Sequence, residues 1–423
     1  MAATVLLAWP LNGPASAAPP RLNATAWVLV DGRSGETLAG HQSATPRSIA
    51  SATKLMTAYL ALRELPLRKR VRMAPYSALA VESVLGVPAG TPINVRDLVY
   101  SLILESANDS AHTLAVAVAG SEPRFVAQMN RTAAALGLAD TRFGNPIGLD
   151  EPGNYSSARD LATLTRRLLA NRTFARIADS STALLRSLRP PLRISSRNTL
   201  LLRAPWITGV KTGHTLNAGY VEVGSGRRKG VELVSVVLGA PSEAERDAES
   251  LALLDFGFSL YRVRRPVRPG EVIATPSIRY AGGELALRAA HPVTVGVRAG
   301  QSLQTSVRAP DEVEGPISRG RRLGRLTVLL EGRVAGATAL LAARSIPEAS
   351  AFEKLRSRAW AVVALLALVA FAILLIGLVV RRRRLGRVPN EAEMQRGREE
   401  RRRIREQGRG SSQRQPGDRG ARR

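Results

Sequence analysis

Over the first 260 positions the apolar residues fall into two patterns. Residues 26–30 and 36–40 flank Asp31-Gly32-Arg33-Ser34-Gly35, the signature of a β-hairpin. In residues 52–63 and 95–118 the apolar positions recur at helical spacing, which predicts helices. Residues 231–239 form a nearly unbroken apolar run, the pattern of a buried strand, and a helix is expected from about Glu243 to Tyr261. The glycines from Gly224 to Gly230 lack phosphate-loop spacing and lie between two strand-like runs, so they are expected to form a hairpin turn. From 263 to 345 the pattern changes to short alternating runs such as 284–288, 293–297 and 325–330, separated by Gly and Pro. The chain is therefore expected to hold a mixed α/β (α+β) domain over 24–262 and a small all-β domain over 263–345.

The ends follow other patterns. Residues 2–9 are apolar and are followed by Ala15-Ser16-Ala17, a small-residue cleavage pattern, so residues 1–18 are expected to be a signal peptide without its basic start. Residues 359–380 are 22 positions without a charge. At 1.5 Å per residue a helix of that length spans about 33 Å, enough to cross a bilayer. Trp360 stands at one edge, and Arg381, Arg382, Arg383, Arg384 and Arg387 follow directly. The positive-inside rule puts that tail in the cytoplasm and everything before Ala359 outside. A linker over 346–358, a single C-terminal transmembrane helix over 359–380 and a disordered Arg-rich tail over 381–423 complete the expected layout.

Composition narrows the chemistry. With no Cys, disulfides, thiolate metal sites and cysteine nucleophiles are excluded. His41, His112, His214 and His291 are scattered and form no H-E-x-x-H pair, so neither a metal nor any other cofactor is expected. The net charge of +27 would suit nucleic acid, but 16 Arg against 6 acidic residues place +10 of it in 381–423. No RNA-binding signature accompanies the rest and aromatic residues make up only 4%, so no nucleic-acid partner is expected. The surplus fits the basic surface of an Arg-rich chain, or attraction to an anionic wall or membrane. Only Lys54, Lys69, Lys211, Lys229 and Lys354 break the use of Arg. Arg never gives up its proton, so a retained Lys marks a place where a neutral amine is useful.

Two of these lysines stand in motifs. In Ser51-Ala52-Thr53-Lys54, residues three apart at a helix start share a face, which sets Lys54 beside the Ser51 hydroxyl. A desolvated neutral lysine can take the proton of a serine nucleophile. Alone the motif is weak, since roughly 0.4 such matches are expected by chance. Ser106-Ala107-Asn108 closes an apolar helix at a turn, where both side chains could enter a cleft; Ser196-Arg197-Asn198 is a second match to the same short pattern. Lys211-Thr212-Gly213 discriminates better, with roughly 0.02 chance matches. It is expected on a strand, where Lys211 and Thr212 can bind a carboxylate and Gly213 allows close approach of substrate backbone.

The three motifs in this order are the signature of penicillin-recognising serine enzymes. Within them the chain resembles the D-alanyl-D-alanine carboxypeptidases, the low-molecular-mass penicillin-binding proteins, from about Ala26 to Ile346. The resemblance is carried by Ile49-Ala50-Ser51-Ala52-Thr53-Lys54-Leu55-Met56, Glu105-Ser106-Ala107-Asn108-Asp109-Ser110, Asn145-Pro146-Ile147-Gly148-Leu149-Asp150, Tyr155-Ser156-Ser157-Ala158-Arg159-Asp160 and Gly209-Val210-Lys211-Thr212-Gly213-His214-Thr215. Gly315-Pro316-Ile317-Ser318-Arg319-Gly320 extends it into the β domain. It implies a serine transpeptidase-like catalytic domain in which Ser51 attacks the D-Ala-D-Ala carbonyl of a peptidoglycan pentapeptide. It implies Lys54 as base, Ser106 and Asn108 as proton shuttle and substrate-amide holder, and Lys211 and Thr212 as carboxylate binders. The backbone N–H groups of Ser51 and His214 would form the oxyanion hole, and β-lactams would be covalent inhibitors.

Two positions depart from the family pattern. Ile147 stands where relatives often carry a polar residue, which bears on substrate preference, and the anchor is a full apolar span rather than an amphipathic helix. A class A β-lactamase would show S-D-N where this chain has Ala107. A DD-endopeptidase differs too little in motif to be separated, and a non-catalytic wall-binding protein would be free to lose one of the motif residues. The expected location is a bacterial cell membrane with the catalytic domain outside.

Overall fold

The computed structural model describes residues 18–385 and 391–409. The apolar run and cleavage pattern assigned to a signal peptide lie outside the described residues.

An antiparallel five-stranded sheet organises the first domain. Its order is 37–41, 26–31, 231–240, 219–228, 207–215, so the edge strand Ile207–Thr215 carries the Lys211 motif. The expected hairpin pairs Ala26–Asp31 with Thr37–His41. The second expected hairpin turns at Lys229 and Gly230, both with positive φ (49° and 81°), while Gly224 and Gly226 lie within the strand Gly219–Arg228. Two consecutive positive φ values are what a tight turn matched to strand twist requires.

Both faces of this sheet are covered, which is why its strands read as apolar runs. Ala26, Val28, Val30, Val234, Val236 and Leu238 face the larger core. Six helices supply the other side of that core: α1 (Lys54–Glu64), α2 (Val95–Leu104), α3 (Asn108–Ala119), α4 (Glu122–Ala135), α5 (Ala158–Leu169) and α6 (Arg172–Ala178). Trp27, Leu29, Leu233 and Val237 face the smaller core under α7 (Glu243–Ser259), whose N-cap Ser242 accepts from the Glu245 N–H.

The helical stretch expected over 95–118 is two helices. The break falls at residues 105–107, where Ser106 has φ 62°. Apolar spacing registers a buried face but not a one-residue excursion into the left-handed region.

Residues 262–342 are all β, as expected. A second antiparallel sheet runs 272–274, 287–289, 333–342, 322–330, 303–308, and Arg262–Val267 pairs with Val293–Val297. By contact density the chain divides into two compact units. The first takes in residues up to Pro276 with 285–311 and 318–344; the second takes in 277–284, 312–317 and everything from Ser345 onward.

The second unit contains α8 (Ala351–Leu385) and α9 (Glu391–Arg409). Helix therefore begins within the expected linker and recurs within the tail expected to be disordered. In the tail, Glu399 precedes Arg402 and Arg403 by three and four residues, and Glu, Gln and Arg are good helix formers. The side chains of residues 357–365 lie outside those described, and among the described residues no helix is long and apolar enough to cross a membrane.

Candidate active site

Ser51 lies in a short 3₁₀ turn, Ala50–Thr53, that runs directly into α1. Ala50 holds φ 47°, a strained value for a residue with a side chain, directly before the half-buried Ser51. Lys54, the first residue of α1, is fully buried. Its Nζ lies 3.0 Å from Ser51 Oγ and 2.5 Å from the Ile147 carbonyl oxygen.

Burial, and next the positive charge of Lys211, push the Lys54 amine well below its ordinary range, while the carboxylate of Glu82 opposes them. A neutral Lys54 has two N–H bonds and one lone pair. Donating to the Ile147 carbonyl leaves the lone pair for the Ser51 hydroxyl proton. The side chain that departs from the family pattern at 147 is buried, and it is the backbone oxygen that meets Lys54.

The loop that presents this carbonyl is tied at several points. Asn145 Oδ1 accepts from the Ile147 and Gly148 N–H groups, and Asn145 Nδ2 donates to the Leu149 carbonyl and Glu151. Asp150 accepts from the Thr215 hydroxyl at 2.8 Å, joining the loop to the end of the Lys211 strand. Gly148 has φ 93°, and a methyl group there would sit on the Ala50 carbonyl, 2.6 Å from its carbon.

Lys211, Thr212 and Gly213 lie on the edge strand, as expected, with Lys211 and Thr212 buried. The strand presses against the nucleophile turn: a Cβ at Gly213 would come within 2.9 Å of the Ser51 nitrogen. That approach puts the Ser51 N–H beside the strand's backbone, as an oxyanion hole shared with His214 requires. The His214 ring is exposed and stacks on Tyr220 at 4.1 Å, away from any chemistry.

Burial lowers Lys211 to about 7, against the pull of Glu222. In this structure its Nζ donates to the Thr212 carbonyl at 2.6 Å. A substrate carboxylate arriving there would supply the missing counter-charge and favour the protonated form.

Ser106 lies in the turn between α2 and α3 and Asn108 is the first residue of α3, both buried. Among the described residues no hydrogen bond joins the Ser106 hydroxyl to Lys54 or Lys211. Asn108 instead donates through Nδ2 to Glu82 Oε2 at 2.6 Å.

Two contributors, Glu82 and Glu222, are not legible in the motifs. Glu82, on the loop before α2, also accepts from the Tyr76 hydroxyl and the Leu79 N–H, and these bonds with that of Asn108 hold its carboxyl below the ordinary range against its burial. Glu222, across from Thr212 on the neighbouring strand, is fully buried and accepts from Asn198 Nδ2 at 2.9 Å. Burial pushes it up to about 8 despite Arg246, whose Nε lies 3.9 Å away. Asn198 thus belongs to the second short S-x-N match, which lies beneath the site rather than in it. The one available signal was an ionisable residue inside a strand otherwise apolar, Val221-Glu222-Val223.

Among the described residues, no group of three or more His, Asp or Glu could hold a metal ion. The site as built brings together a serine hydroxyl, a buried amine 3.0 Å from it, a second buried amine and the Ser51 N–H beside the edge strand, an arrangement that suits acyl transfer.

The comparisons with known proteins point the same way. Residues 14–242 match the family model described as D-alanyl-D-alanine carboxypeptidase, and residues 261–348 match the penicillin-binding protein 5 C-terminal domain. The chain is 32% identical over 351 residues to D-alanyl-D-alanine carboxypeptidase DacC of Escherichia coli, covering 79% of this chain and 86% of that protein. Penicillin-binding protein 5 from Haemophilus influenzae superposes with a TM-score of 0.55 at 27% identity, covering 78% of this chain and all of that one. Penicillin-binding protein D2 from Listeria monocytogenes, solved in a cefotaxime-bound form, gives 0.53 at 29% identity over 57% of this chain and all of that one.

Proposed function

The chain belongs to the D-alanyl-D-alanine carboxypeptidase family, and from that premise we propose that Ser51 is its acylated nucleophile and that a C-terminal helix holds it to the membrane. It is a serine-type carboxypeptidase of peptidoglycan metabolism, in a family of penicillin-binding peptidases.

The carrying observation is the 3.0 Å approach of a fully buried Lys54 to Ser51 Oγ. Lys54 takes the hydroxyl proton as Ser51 attacks the penultimate D-alanine carbonyl. The developing oxyanion lies between the N–H groups of Ser51 and His214. Lys211 and Thr212 hold the terminal carboxylate, Asn108 the substrate amide, and Ser106 passes a proton to the departing D-alanine. Water, activated by the same amine, then releases the shortened peptide. A β-lactam follows the first half of this path.

What supports the anchor is the sequence itself, 22 uncharged positions at 359–380 flanked by arginines, together with the continuity of α8 from Ala351 to Leu385. Leu366, Phe371, Ile373 and Ile376 on that helix are all exposed, which suits a lipid surrounding. The catalytic domain then lies outside the cytoplasmic membrane and the arginine tail inside.

The test uses a fluorescent penicillin and a pentapeptide ending in D-Ala-D-Ala. The protein should be labelled covalently and release D-alanine, and Ser51→Ala should do neither. Labelling that persists in Ser51→Ala would refute the assignment.

A further inference from the structure

Glu82 stands apart from the three motifs yet touches one of them directly. Its Oε2 accepts from Asn108 Nδ2 at 2.6 Å and from the Tyr76 hydroxyl, and its Oε1 accepts from the Leu79 N–H at 3.0 Å. The segment bearing it is fixed to α3 by three further bonds. The Asn108 N–H donates to the Ser83 carbonyl at 2.7 Å, and Asp109 accepts from the Leu85 and Gly86 N–H groups. A carboxylate held in this way is part of the site's frame rather than a loose surface charge.

A carboxylate accepts and never donates, so its bond to Asn108 settles which end of that amide is nitrogen. One N–H of the amide points to Glu82, leaving the second N–H and the carbonyl oxygen to meet a substrate. A residue at 82 with no acceptor would leave the amide free to turn over. Glu82 is also the negative charge acting on Lys54, opposite Lys211. The other ionisable groups around it are Tyr76 on its own segment, His112 of α3, whose ring lies 5.6 Å from that of Tyr76, and Glu122 of α4, paired with His112 at 2.8 Å.

We infer that Glu82 is a positioning residue for acylation: it orients the Asn108 amide toward the substrate and keeps a carboxylate beside that amide. This rests on the proposed roles of Ser51 and Lys54. It has a consequence for pH. Lys54 acts as base only when neutral, and Glu82 favours its protonated form. The carboxylate therefore delays the rise of acylation to a higher pH, and the Glu82→Gln variant should lose that delay.

The experiment measures the acylation rate of the full chain by a fluorescent penicillin between pH 5 and 9, for wild type, Glu82→Gln and Glu82→Ala. The KM for a D-Ala-D-Ala pentapeptide and the melting temperature are read on the same samples. Glu82→Gln, which keeps the shape and an acceptor, should move the acidic limb to lower pH by about half a unit or more. Glu82→Ala, with no acceptor for Asn108, should in addition raise KM about tenfold. An acidic limb that coincides with wild type in Glu82→Gln overturns the inference. So does a Glu82→Ala protein whose only change is a lower melting temperature. Loss of all labelling in Ser51→Ala is a separate result, so a failure of the nucleophile assignment is not confused with a failure here.

Discussion

Gly148→Ala is the most searching test of how the site is assembled, because it alters no group that touches substrate. Gly148 follows the residue whose carbonyl meets Lys54, and its backbone has φ 93°. A methyl group there carries two separate costs. The left-handed conformation costs about 1–2 kcal/mol for a residue with a Cβ. The methyl also comes within 2.6 Å of the Ala50 carbonyl carbon and 3.0 Å of the Ser51 nitrogen. Carbon atoms in contact need about 3.5 Å, so the loop and the nucleophile turn must separate by about 1 Å. That movement takes the Ile147 carbonyl from Lys54 or shifts Ser51 from its base, and a misplacement of this size lowers catalysis about 100-fold. With a total stability cost of about 2–3 kcal/mol, the melting temperature should fall by about 5–10 °C. The control is Gly300→Ala, where φ is 80° but nothing lies within 4 Å, so only the conformational cost applies. Acylation by a fluorescent penicillin and thermal unfolding are measured on both. If Gly148→Ala acylates at the wild-type rate, the close packing of the loop on the nucleophile turn does not set the geometry of catalysis, and the reasoning fails.

Three further outcomes follow from the same geometry. Lys54→Met keeps the buried volume but removes the base, and should lower acylation at least about 100-fold while the melting temperature holds or rises, since a buried amine is replaced by an apolar chain. Above the Lys211 value of about 7 the pocket loses its positive charge, so kcat/KM for a peptide with a free carboxylate should fall as pH rises. That fall is read from D-alanine release across pH 6–9. Truncation before Ala351 should leave D-alanine release intact and move the protein from the membrane pellet to the supernatant on fractionation; activity remaining in the pellet would place the anchor elsewhere.

What could be read from the sequence was whatever is local in the chain. Ser51 and Lys54 are three apart at the start of a helix, the Lys211 motif alternates along a strand, and the hairpins are marked by their turns. What could not be read is long-range. The Ile147 carbonyl is 93 positions from Lys54, and Glu82 is 26 from Asn108. No spacing rule links such pairs; they meet because the loops are folded across one another and fastened by Asn145 and Asp109. The turn that closes the helix at Ser106 was legible; the helix in the arginine-rich tail was missed, because it depends on charge spacing that a count of apolar positions does not register.

The distribution of lysine takes on a physical meaning once burial is known. In a chain that answers almost every call for positive charge with Arg, Lys69 and Lys229 are exposed and Lys354 is partly so, while Lys54 and Lys211 are fully enclosed. A guanidinium enclosed like Lys54 would stay charged and could not accept a proton, so the site would have a cation where it needs a base. At Lys211 the requirement is for a compact charge that appears when the carboxylate arrives and is cheap to keep neutral before then. Burial supplies the second property to both residues, and their neighbours separate their tasks. Lys54 has Lys211 as its nearest electrostatic opponent and is driven toward the free amine, whereas Lys211 has Glu222 beneath it and is kept within reach of protonation. In the proposed mechanism two identical side chains thus take the parts of base and anion binder through what surrounds them.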